Sequence, residues 1–120
     1  MGVENNECVI ATTWNNDAMQ KVKDWVAELD DEKQSLFAFV PSLINAKETL
    51  FLAPDGSKKG WATAKQGEVL RSQLIELLES FDYEDSSSPF DWVEVGYGEF
   101  GQTILRGNCQ NKYGDEPYAT

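Results

Sequence analysis

The residues with the clearest chemical pattern are the glycines of Gly96-Tyr97-Gly98-Glu99-Phe100-Gly101, which have GxGxxG spacing. In a dinucleotide-binding fingerprint, a helix begins directly after such glycines, so that its N-terminus meets the pyrophosphate. Here the β-branched residues Thr103 and Ile104 follow, and they favour a strand instead. The spacing alone therefore does not indicate a nucleotide site.

The same segment resembles the glycine-rich hairpin of protein kinases, which it matches at the three glycines and at Phe100. A kinase also needs a lysine on the next strand, an HRD-type loop and a DFG segment. No lysine follows until Lys112, and neither of the other motifs occurs. We therefore predict a tight β-hairpin turn, at which the glycines permit a positive φ.

The side chains that usually perform catalysis are scarce. The chain has no histidine, which removes the commonest base at neutral pH and every Ser-His or Cys-His pair. Asp91 and Glu94 are candidate acid/base carboxylates, but their spacing on a strand puts them on opposite faces. No calcium-binding loop pattern is present. We expect no metal and no cofactor, and the residues favour a non-catalytic protein over an enzyme.

The net charge is −11, from 21 acidic and 10 basic residues, which argues against direct binding to DNA, RNA or anionic membranes. Eight acids and no base lie between Arg71 and Arg106. A second acidic group lies at Glu28, Asp30, Asp31 and Glu32. These acids either form a solvated surface or attract a basic protein partner.

A candidate anchor for such a partner is Trp92, which shares one face of a predicted strand with Glu94. If the helices cover the opposite face, which carries Val93 and Val95, Trp92 lies on the open face of the sheet beside acids. Exposed tryptophans are enriched at binding hot spots. The alternative is that Trp92 packs against a loop or a neighbouring strand. The predicted partner-binding residues are Trp92, Glu94, Glu99, Asp91 and Trp61.

The elements that must position these residues follow from hydrophobic periodicity and turn signals. Helices are predicted over residues 16–29 and 64–81, and strands over residues 7–14, 36–40, 49–53, 60–63, 91–97 and 103–106. Asn15 or Asn16 can cap the first helix, and Thr63 with Gln66 fits a capping box for the second. The order β-α-β-β-β-α-β-β predicts an α+β fold, in which two helices pack on one face of a mostly antiparallel sheet.

We expect one domain over residues 1–109 and a mobile tail over residues 110–120. The polar start lacks the features of a signal peptide, so Cys8 and Cys109 are expected to stay reduced in the cytoplasm. The sequence favours a protein-interaction or inhibitor-type domain that binds a basic partner, as a monomer or weak dimer. The alternative is a small-molecule-binding or enzymatic domain with a cleft near the Gly96–Gly101 turn.

Overall fold

A computed structural model describes residues 5–109 as an antiparallel sheet with helices. The five strands lie in the order β2-β3-β1-β4-β5. The strands are β1 (Asn5–Thr13), β2 (Phe37–Pro41), β3 (Glu48–Leu52), β4 (Phe90–Gly98) and β5 (Gly101–Gly107). Within the described range, the helices are α1 (Asn16–Ala27), the four-residue α2 (Asp31–Gln34) and α3 (Ala62–Glu79).

The core lies between the long helices and one face of the sheet. Alternate residues of β1, β3 and β4 meet the buried stripes of α1 and α3 in one cluster. Its most deeply buried members are Val9, Leu50, Leu52, Phe90, Met19, Val22, Leu74 and Leu78. The α+β class, the antiparallel sheet and the packing of both long helices on one face are therefore confirmed.

The prediction of a strand over residues 60–63 is wrong, because α3 begins at Ala62. The turn before it does form: Asp55 Oδ1 accepts a hydrogen bond from the backbone N–H of Ser57 at 2.8 Å, and Gly56 has a φ of 85°. The chain cannot then return to the edge of β3, since β1 and β2 already occupy both sides of that strand.

The cap of α1 is confirmed at Asn15, whose Oδ1 accepts from the backbone N–H of Ala18 at 3.0 Å. The capping box predicted for α3 is wrong: Trp61 precedes the helix without a side-chain cap. Thr63 Oγ1 instead lies 2.7 Å from the Ser57 hydroxyl. The additional helix α2 begins in the acidic segment, where Asp30 Oδ1 accepts from the N–H of Lys33 at 2.9 Å.

Candidate functional site

The helices cover the face of β4 opposite to the one assumed in the sequence analysis. Trp92 is 5% exposed and Glu94 is 3% exposed, and both point toward the helices. Val93 and Val95 occupy the other face and are half-buried. The alternation along the strand was predicted correctly, but its orientation was wrong. Trp92 and Glu94 therefore do not lie on a surface that a partner can reach in this structure.

Glu94 is instead the centre of a buried ion cluster. Its Oε2 accepts from Nε of Arg71 at 2.9 Å, and its Oε1 accepts from Nε of Arg106 at 2.6 Å. Arg71 also donates to Glu7, and Arg106 donates to the hydroxyl of Ser72 at 3.2 Å. Two guanidinium groups thus balance two carboxylates, and the cluster joins β1, α3, β4 and β5.

The charges in this cluster decide the protonation of its members. Burial alone would raise the pKa of Glu94, but hydrogen bonds and charge from Arg106 and Arg71 outweigh it and lower the pKa. The hydrogen bond to Glu94 raises the pKa of Arg106. The carboxylate therefore stays ionised, already bonded to two cations, and is unsuited to proton transfer.

The sequence contains a sign of this ion cluster, but the same charges were interpreted as an acidic surface. Arg71 and Arg106 are the bases at either end of the long acidic stretch, and both bind the one acid of that stretch that is buried in the core. The stretch was treated as uncompensated because pairing across 23 and 12 residues is not visible locally.

The remaining predicted binding residues are exposed but do not converge. Asp91 lies at the start of β4, and Glu99 lies in the turn at its other end. Trp61 is 49% exposed and precedes α3 on the helix side of the sheet. These three residues do not form one surface.

Trp61 lines a cavity of ≈ 660 Å³ together with Leu36, Leu70 and several carboxylates. Two of those carboxylates have partners: Asp30 caps α2 and lies 3.6 Å from Nζ of Lys33, and Asp55 accepts from the Ser57 N–H. These contacts hold the loop and the short helix, and Glu32 also lines the cavity.

The predicted hairpin over the GxGxxG segment is confirmed. Gly98 pairs with Gly101, and β5 follows directly, so no helix N-terminus faces a phosphate at this position. The cavity beside the turn, which includes Gly96 and Leu105 in its lining, measures ≈ 250 Å³. Ligand pockets usually measure roughly 300–1,000 Å³. This cavity alone lies below that range, whereas an adjoining cavity of ≈ 410 Å³, which shares Asn5, Glu7, Lys59 and Leu105 with its lining, lies within it.

The face of the sheet that points away from α1 and α3 is largely apolar; we call it the open face. By strand alternation it comprises Asn6, Cys8, Ile10, Thr12, Ala38, Val40, Thr49, Phe51, Asp91, Val93, Val95, Tyr97, Gln102 and Ile104. Ile10, Val40, Tyr97 and Ile104 are 38%, 58%, 42% and 70% exposed. Neither long helix covers this face within residues 5–109.

The register aligns these side chains in rows across the strands. Ala38 lies opposite Phe51, Phe51 opposite Ile10, and Ile10 opposite Val93. In a neighbouring row, Val95 lies between Cys8 and Ile104. The apolar rows of the open face therefore extend from one edge of the sheet to the other, with Cys8 buried within them at 4% exposure and Val95 half-buried.

Charge is almost absent from the open face. Among its described strand residues, Asp91 is the one charged side chain, in a protein whose net charge is −11. Glu7, Glu48 and Glu94 all lie on the helix side, where each binds a cation. The strands therefore carry most of their acidic side chains on the helix side of the sheet.

A second apolar feature is the tip of the β2–β3 hairpin, where Leu43 is 102% and Ile44 is 75% exposed. The turn is held by Ser42, whose hydroxyl donates to the carbonyl of Ile44 at 2.6 Å. Asn45 and Ala46 have positive φ values of 66° and 49°. The tip is thus an ordered turn with two isolated aliphatic side chains.

Cys8 and Cys109, both within the described range, are not joined by a disulfide. Residues 5–109 contain no group of three acidic or thiol side chains placed to hold a metal ion. No helix in that range is long and apolar enough to cross a bilayer. The mobile tail predicted over residues 110–120 lies outside the described residues. Comparisons of the chain with protein-family models, curated proteins and solved structures find no match.

Proposed function

We propose that this chain is a non-catalytic protein-interaction domain that binds a basic protein partner through the open face of its sheet. The observation that carries the proposal is the apolar row formed by Ala38, Phe51, Ile10 and Val93, in register across four strands. Ala38 and Ile10 are exposed in this row, and Phe51 and Val93 are half-buried. Continuous exposed apolar surface on a small domain is typical of an interaction site.

The composition of the open face suits protein recognition. It has an apolar centre at Phe51 and Ile10, and Tyr97 lies nearer one end with its ring half-exposed. Aromatic side chains are enriched in protein interfaces, and charged side chains are depleted from their centres. Asp91, at the start of β4, has the position of a polar rim residue.

Net charge indicates which kind of partner fits. Two copies of a chain with a charge of −11 repel each other, so self-association through the open face is disfavoured. A basic protein with an apolar patch gains both burial and long-range attraction. The proposal includes a monomeric state before the partner binds and a cytoplasmic location.

This surface differs in part from the one that the sequence predicted. Asp91 remains a candidate contact residue at the rim of the interface. Glu99 adds to the negative charge that attracts a basic partner. Ile10, Phe51 and Tyr97 take the anchoring role that was expected of Trp92. Glu94 has a structural role in the ion cluster.

The test is capture of partners from lysate by the wild-type chain, Ile10→Lys and Val69→Lys. Ile10 is 38% exposed at the centre of the open face, and Val69 is 55% exposed on α3, so the variants add the same charge at different surfaces. We expect a basic protein to be retained by the wild type and by Val69→Lys, lost from Ile10→Lys, and weakened by high salt. Equal capture by both variants would refute the proposal.

A further inference from the structure

We infer that the partner contributes an extended segment, with basic and apolar residues in alternation, which pairs with the outer edge of β5 as a sixth strand. This inference rests on the proposed function and specifies how the partner engages the sheet. The strand order leaves β5 at one edge, and all seven of its residues are exposed.

The edge of β5 has some, but not all, of the features that normally block strand addition. It contains no proline, and its one charged side chain, Arg106, bonds Glu94 at 2.6 Å. An edge strand presents unpaired backbone N–H and C=O groups, which proteins usually protect with charges, prolines, bulges or short length. The inward-pointing Arg106 and the bulge at the Glu94/Val95 level are protective devices of this kind, so β5 is only partly protected.

The two sides of an added strand would meet different surroundings. On the open face it would lie beside Ile104, which is 70% exposed and pairs with Val95. On the helix side it would face the acids of α3 that lie near β5. Ser72 of α3 accepts from Arg106 at 3.2 Å, and the exposed Glu68 and Glu79 lie one turn before and two turns after Ser72 on the same face of the helix.

This arrangement specifies the chemistry of the added segment. Successive side chains of a strand point to opposite faces. Apolar residues at alternate positions would extend the open face past Ile104, and Lys or Arg between them would approach Glu68 and Glu79. The acidic net charge of −11 favours the same partner.

The opposite edge of the sheet suits such a segment less well. β2 has five residues and ends at Pro41, which lacks a backbone N–H. On the helix side of this edge, Nζ of Lys23 lies 5.5 Å from the ring centroid of Phe39 and is paired with Glu48 at 2.8 Å. The shorter strand and its proline therefore favour β5 over β2.

The test uses a synthetic nine-residue peptide in which Lys and Val alternate. Its control has the same composition with the lysines and valines in two blocks. We expect the alternating peptide to bind and to slow amide hydrogen exchange in β5 by about tenfold or more, because paired edge amides are protected. The block peptide should leave β5 exchange unchanged. Absence of binding by the alternating peptide, or binding without protection of β5, would overturn the inference.

Three variants locate the contact and separate this inference from the proposed function. Ile104→Lys and the double variant Glu68→Gln/Glu79→Gln should each weaken the alternating peptide by about tenfold. Leu43→Lys adds the same charge at the β2–β3 tip and should bind the alternating peptide as the wild type does.

If Ile10→Lys loses the lysate partner but the β5 variants retain it, the inference fails and the proposed function stands. If Ile10→Lys and Val69→Lys capture equally, the proposed function fails.

Discussion

Nε of Arg71 lies 2.9 Å from Oε2 of Glu94, and this ion pair joins α3 to β4 inside the protein. The pair lies on the same face of β4 as the buried side chains of Phe90 and Trp92, and together they favour this face against the helices. Turning β4 over would expose Glu94 and leave the Arg71 guanidinium, whose side chain is 11% exposed, without its buried partner. These contacts together therefore place Val93 and Val95 on the open face.

Removing the carboxylate of Glu94 should be severely destabilising. Glu94→Ala leaves Arg71 and Arg106 close together without the charge between them, and we expect the free energy of unfolding to fall by about 3 kcal/mol. Asp91→Ala, three residues earlier on the exposed side of the strand, should change it by less than about 0.5 kcal/mol. Urea titration of both variants measures this difference, and similar losses would contradict the role given to Glu94.

The lowered pKa of Glu94 also predicts a pH dependence. A carboxylate whose pKa is lower in the folded than in the unfolded protein stabilises the fold above its unfolded pKa of about 4.3. That contribution is lost as pH falls through the folded pKa. The stability difference between wild type and Glu94→Gln should therefore shrink between pH 7 and about pH 3. A difference that is constant across this range would argue against an ionised, paired Glu94.

The two thiols should differ in reactivity. Cys8 is 4% exposed, and its burial raises the pKa of the thiol, whereas Cys109 is exposed. Because the thiolate is the reactive form, we expect Cys109 to react quickly with a thiol reagent and Cys8 to react only after denaturation. Titration of unreduced native and denatured protein checks this. Rapid reaction of both thiols in the native protein would show that β1 is more open than the structure indicates.

The hairpin tip provides a contrast to the open face. Leu43→Ser/Ile44→Ser should leave the free energy of unfolding within about 0.5 kcal/mol of wild type, because both side chains are exposed. It should also leave partner capture intact, since anchors lie in surfaces that neighbouring residues shield from water. Loss of capture in this double variant would move the binding surface to the tip.

Several elements could be predicted because their signals are local. Asn15 marks the start of α1, and the alternation over residues 91–97 gives β4 its two faces. The helix expected over residues 64–81 is present as α3 (Ala62–Glu79), so both of its ends lie two residues earlier than predicted. The four residues of α2 are too few for a periodic pattern.

The errors arose where distant parts of the chain decide the outcome. Both faces of β4 are apolar enough to be buried, and one contact that favours the face with Trp92 comes from Arg71, 23 residues away from Glu94. Residues 60–63 have the composition of a strand, but no edge of β3 is left for them. The exposed position of Trp92 depended on helices covering Val93 and Val95, and the structure does not meet that condition.

Oxidative footprinting of the chain, alone and with its captured partner, tests the central claim most directly. Tyr97 on the open face and Trp61 on the helix side are matched reporters, being 42% and 49% exposed. If the partner covers the open face, modification of Tyr97 should fall several-fold in the complex while that of Trp61 stays the same. Protection of Trp61 with Tyr97 unchanged would contradict the account and place the partner on the helix side.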